Sequence, residues 1–132
     1  RDNVGVVGGL LVGAKGEATL TGTELTGHAT RAVEVEDGAT LTIVDTVVRD
    51  NTAVGVYAEG DAAITCTGTT DDVVSGVLAN GGYGIHLKDA DATVTLSKCD
   101  FGEGDDANTG ADIYDEAATL PHDLGNNETG TY

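Results

Sequence analysis

The chain has 132 residues, enough for one domain around one core, and 39% of them are hydrophobic, with one Phe, no Trp and no Met. Its 23 acidic residues against six Lys and Arg give a net charge of −17, which leaves no basic patch to meet the phosphates of nucleic acid. No segment approaches the roughly 20 consecutive apolar residues that a membrane span requires.

A core built mostly of Val, Ala, Leu and Ile must be thin and regular, because small branched side chains cannot fill a broad interior. Twenty Gly with a single Pro predict many tight turns between short strands. In chain order the first strand is Leu10–Val12, followed by Glu17-Ala-Thr-Leu-Thr-Gly22 and a short strand centred on Leu25. The same trio recurs as Val33–Val35, Gly38-Ala-Thr-Leu-Thr-Ile43 and Val48. It recurs again as Val56–Ala58, Asp61-Ala-Ala-Ile-Thr-Cys66 and Val73–Val74. A fourth copy reads Ile85–Leu87, Asp91-Ala-Thr-Val-Thr-Leu96 and Phe101, and Ala111–Ile113 opens a fifth.

In the middle strand of each trio the period-2 pattern turns an Ala and then larger apolar residues inward. Cys66 falls between Ile43 and Leu96 in that inward stack, while the alternate positions, mostly Thr, face out. Ala18, Ala39, Ala62 and Ala92 are spaced by 21, 23 and 30 residues. One coil of three strands fits the shorter spacings, and the longest requires a loop inserted around Gly68 to Gly82. Constant strands with variable turns are what a solenoid permits, since each coil contacts only its neighbours. The expected fold is therefore all-β, a right-handed single-stranded parallel β-helix of about four to five coils with three short strands per coil. Coils are expected over residues 1–115, and residues 116–132 read as a C-terminal cap or extended tail.

Ile43-Val-Asp-Thr-Val-Val-Arg-Asp-Asn51, followed by Val54-Gly-Val-Tyr57, resembles the loose repeat of right-handed parallel β-helix proteins, with an Asn at the corner. Gly84-Ile-His-Leu87 is similar to the repeats of pectate-lyase-like, carbohydrate-binding and sugar-hydrolase β-helices, including the NosD-like group. The resemblance spans roughly residues 9 to 115 and implies fold more strongly than function. The Asp pairs with Gly-His-Gly and Arg-Ile-Lys of pectin-active relatives are missing, so no catalytic residue is assigned and the chain is not expected to be an enzyme. Asp71-Asp72 and Asp105-Asp106 read as solvated loop carboxylates.

Three candidate sites remain. Tyr57, His86 and Asp112 would stack on the outward face of the first strand row, as a ridge that could meet a surface polysaccharide. Asp106-Ala-Asn-Thr-Gly-Ala-Asp112 spaces oxygen-bearing residues around a Gly as Ca²⁺ loops do, which makes Asp106, Asn108 and Asp112 candidate calcium ligands. Asn127-Glu-Thr129 fits a glycosylation sequon. The two cysteines fall on adjacent coils but not at matching positions, so buried free thiols are expected. The outward Thr-x-Thr rows resemble those of ice-binding β-solenoids and equally suit a subunit interface.

So acidic a folded surface suits very salty surroundings, because at molar salt the Debye length falls to about 3 Å and self-repulsion is screened. The chain starts at Arg1 without a Met, as expected of a processed product or a piece of something longer. Together these features point to an extracellular structural or adhesive module of a halophilic cell surface or virion appendage. It would work as a homo-oligomer or within a larger parent assembly, with a carbohydrate-binding or carbohydrate-active domain as the alternative.

Overall fold

The computed structural model describes residues 9–69, 75–118, 120–122, 124 and 128–132. Fourteen strands and one 3-10 turn at Gly104–Asp106 occur among the described residues, and no α-helix does. The first repeat holds β1 (Leu10–Val12), β2 (Glu17–Thr21) and β3 (Glu24–Leu25). The second holds β4 (Arg31–Val35), β5 (Thr40–Val44) and β6 (Val47–Arg49). The third holds β7 (Val54–Ala58), β8 (Ala63–Thr67) and β9 (Ser75–Leu78). Then come β10 (Ile85–Leu87), the long β11 (Thr93–Asp100), β12 (Ile113–Asp115), β13 (Leu120–His122) and β14 (Glu128–Thr131).

Each strand pairs with its counterpart one repeat on. One sheet runs β1-β4-β7-β10-β12-β13, and the other runs β2-β5-β8-β11-β9-β6-β3. Among the described residues the pairings between repeats are parallel, and only β13 on β12 and β14 on β11 are antiparallel. In this way β13 and β14 pair with edges of β12 and β11 that would otherwise stay open.

The alternating sequence explains the second sheet. Leu20, Ile43, Cys66 and Leu96 share one register column, and Ala18, Leu41, Ile64 and Val94 share another. From Ile43 to Leu96 that first column is buried, and Thr occupies the positions between. Each buried Val, Leu or Ile contributes about 1.5–3 kcal/mol, and the first repeat, where Leu10, Ala18, Leu20 and Leu25 are only partly buried, gains less than those after it.

Three expectations need correction. The third strand of the third repeat is Ser75–Leu78, with Val77 opposite Val48, so it lies inside the stretch read as an inserted loop; Val73–Val74 fall outside the described residues. The fifth strand of the first row begins at Ile113, which pairs with Ile85, so Tyr114 and not Asp112 stands opposite His86. The cysteines are not free: Cys66 and Cys99 form a disulfide with their Cα atoms 5.9 Å apart. The reason lies in β11, which pairs with β8 through Thr93–Ser97 and then continues through the corner to pair with β9 at Cys99. Cys99 thereby stands beside Ser75, and Ser75 Oγ lies 3.6 Å from the Cys66 sulfur.

Candidate functional site

The outward positions of the first sheet form a register column of Leu11, Glu34, Tyr57, His86 and Tyr114. Parallel pairing fixes them one above another, since residues in register on neighbouring strands point to the same side of the sheet. Tyr83, in the turn leading into β10, joins the column from the side. Its ring stacks on Tyr114 with centroids 4.6 Å apart and planes 19° apart. His86 meets Tyr57, Tyr83 and Tyr114 at 5.2, 5.3 and 5.3 Å. Three of the four Tyr in the chain are thus gathered around one imidazole.

Charges border the cluster on both sides. The Arg31 guanidinium lies 3.5 Å from the Tyr57 ring centroid, a cation–π geometry, and pairs with Glu34 at 3.0 Å. On the other side His86 Nε2 donates to Glu116 Oε2 at 2.8 Å, and Lys88 Nζ donates to Glu116 Oε1 at 2.7 Å. The Lys88 bond, and then the His86 bond, hold the Glu116 carboxyl below its ordinary range. The same carboxylate holds the Lys88 ammonium above its own. Tyr57 is buried under Arg31, whereas His86, Tyr83, Tyr114 and Glu116 are partly exposed. The surface offered is one of aromatic edges and faces with adjacent donors and acceptors, which suits hydroxyl-rich ligands.

Two of the three residues expected on this ridge, Tyr57 and His86, are in direct ring contact. Asp112 is not on it. Its carboxylate is buried, accepting from Asn108 Nδ2 at 2.8 Å and from the Leu124 backbone at 2.7 Å. Sequence reasoning missed Tyr83, Tyr114 and Glu116. Alignment of Ile113 with Ile85 would have found Tyr114 and Glu116, since Glu116 donates its backbone N–H to Leu87 just as the ladder continues.

Asp112 instead ends a buried chain of side-chain amides at the corner before the first sheet. Asn51 Nδ2 donates to Asn80 Oδ1 at 2.9 Å, and Asn80 Nδ2 donates to Asn108 Oδ1 at 3.0 Å. Each of these amides also donates to a carbonyl of the third strand one repeat back, at Leu25, Val48 and Val77. The backbone N–H groups of His28, Asn51 and Asn80 donate to the next Asn oxygen. Corner groups that would be costly to bury unpaired are satisfied in series. Gly55 and Gly84 make room for it: a Cβ on either would lie 2.8 Å from the amide nitrogen of Asn80 or Asn108.

His28 occupies the first place in this series. Its ring is fully buried, and neither nitrogen has a hydrogen-bond partner among the described residues. Burial is the main cause that lowers its pKa from the ordinary value of 6.5.

The expected calcium ligands are divided between two environments. Asn108 and Asp112 are hydrogen-bonded to each other inside the corner, while the Asp106 side chain is 65% exposed and faces Arg49 at 3.7 Å. Among the described residues no group of three or more His, Cys, Asp or Glu stands close enough to hold a metal ion. Asn127 lies outside the described residues. No helix among the described residues is long and apolar enough to cross a membrane. No family model, curated protein or solved structure matches the chain.

Proposed function

We propose that the chain is a right-handed parallel β-helix of four to five short coils, serving as an exported structural or adhesive module of a halophilic cell surface or virion appendage. The observation that carries this reading is the unbroken parallel register that links each strand of one repeat to its counterpart in the next. A stack of that kind is stiff, because each repeat is fixed by its neighbours, and it offers a long face for multivalent contact. The buried Cys66–Cys99 disulfide supports export, since such bonds persist in oxidising compartments. The charge of −17 supports salty surroundings, where screening relieves self-repulsion. The module works as a homo-oligomer or as part of a longer assembly, and no catalytic residue is assigned to it.

A second reading, a carbohydrate-binding domain, is favoured by the cluster of Tyr57, Tyr83, His86 and Tyr114. The resemblance of the repeats to pectate-lyase-like and NosD-like β-helices points the same way. A polysaccharide panel in molar KCl separates the two. The structural reading expects no saturable binding and no cleavage across the panel. Saturable binding that disappears in Tyr114→Ala and His86→Ala would replace it with the sugar-binding reading.

A further inference from the structure

The outward face of the second sheet is unlike the rest of this surface. Thr19, Thr42, Thr65 and Thr95 stand in one register column across four parallel strands. Antiparallel β14 adds Thr131 opposite Thr95 as a fifth rung. All five are exposed or partly exposed. Beside the column, on one side, Thr40 and Thr93 flank Ala63. On the other, Thr21 and Thr67 flank Val44. The one charge among these outward strand positions is Glu17, at a corner of the grid. A chain with 23 acidic residues has therefore kept all but one carboxylate off these positions.

We propose that this threonine grid is the lateral contact between two copies of the chain, set face to face about a two-fold axis. The inference rests on the structural-module reading above and deepens it. Charge selects the occupant. Two copies at −17 each repel wherever carboxylates would be juxtaposed, and apart from Glu17 at its corner this face lets them approach with hydroxyls and methyls. A two-fold pairing is self-complementary, so each column packs against its own copy, and uncharged hydroxyls cost far less to dehydrate than carboxylates.

Size sets the strength. Five rungs at about 4.8 Å and three outward residues per strand give on the order of 400 Å² per copy, about half the ~800 Å² per partner of a standard stable interface. The contact is accordingly weak between isolated chains, strengthened by salt, and sufficient where many copies are held side by side.

Sedimentation velocity of the full chain at millimolar concentration tests this. A monomer at low salt and a growing dimer fraction in molar KCl are expected. Thr42→Asp with Thr65→Asp should abolish the dimer, while Thr30→Asp with Thr109→Asp, which adds the same charge at exposed sites off the grid, should keep it. Thermal melts by circular dichroism check that both variants fold. Thr65→Cys should crosslink copies under oxidation in molar KCl, and Thr109→Cys should not, a readout that needs no added charge. A chain that stays monomeric in molar KCl, or a dimer that survives Thr42→Asp with Thr65→Asp, would overturn the lateral contact. Neither result would touch the structural-module reading, which the polysaccharide panel tests separately.

Discussion

The side-chain amide of Asn51 donates to the side-chain oxygen of Asn80 at 2.9 Å across 29 residues of sequence, and Asn80 repeats the gesture to Asn108 at 3.0 Å. Neither bond is local, so the corner is defined only once three repeats are stacked.

Asn80 is the middle of that series, and its side chain accepts from Asn51 and donates to Val48 and Asn108. Asn80→Ala strands the Asn51 backbone N–H and one amide hydrogen of Asn51 in a buried corner and takes a donor from the Val48 carbonyl, while Asn108 Oδ1 keeps the backbone N–H of residue 80. With each buried orphan costing about 1–3 kcal/mol before relaxation, a net loss of roughly 2–3 kcal/mol is expected. Urea unfolding in molar KCl measures it, and a loss below about 1 kcal/mol would mean that the amides carry little of the corner.

The disulfide joins residues 33 apart in sequence, and closing a loop of that size is worth about 3–4 kcal/mol in the chain-entropy account. Cys66→Ala with Cys99→Ala should lower stability by that order. Both cysteines are fully buried, so alkylation is run on the unfolded protein in denaturant without reductant, where the bridge should leave no thiol to label by mass spectrometry. A labelled Cys99 would contradict the bridge.

Acid should destabilise the protein in two stages. Burial lowers the folded-state pKa of His28 below 6.5, so the unfolded chain binds the proton more readily than the folded one. The contribution of neutral His28 is complete above about pH 6.5 and is lost as pH falls from there through the folded value. Glu116, held down by Lys88 and His86, and Asp45, held down by Thr69, lose theirs only in the lower carboxylate range. His28→Phe should flatten the upper stage of a melting-temperature profile and leave the lower one. An unchanged upper slope would place that titration elsewhere.

Screening of the acidic surface predicts a melting temperature that rises from low to molar KCl. A flat response would remove the halophilic reading while leaving the fold untouched.

EDTA should leave the melt unchanged, because Asn108 Oδ1 already accepts from Asn80 and the Asp112 oxygens accept from Asn108 and Leu124. A fall in stability with EDTA, abolished by Asp112→Asn, would return calcium to the Asp106–Asp112 segment.

The rows with clean period-2 alternation were legible in the sequence. Cys66 lies between Ile43 and Leu96 as read, and Tyr57 lies opposite His86, because apolar and Thr positions alternate without interruption there. Legibility failed where the pattern broke. Asp115 stands at the inward place of Leu87, so the apolar pair Ala111 and Ile113 gave a better alternation and drew Asp112 onto the ridge in place of Tyr114. The extra residues before Ser75 displaced β9 and hid the match of Cys99 with Ser75. Asn51 was legible as a corner residue. Its partners were not, since Asn80 lay in a stretch read as an insertion and Asn108 in one read as a cation loop. Side-chain bonds between residues 28 or 29 apart leave no local periodicity to read.

The central claim is that these repeats form a rigid part of an exported assembly. Electron microscopy of the native particle from its source, with in-situ averaging and an antibody to this chain, tests it most directly. The account predicts label on a symmetric appendage whose density fits these repeats stacked end to end or side by side. A solitary small monomer, with no label on any surface assembly, would contradict it.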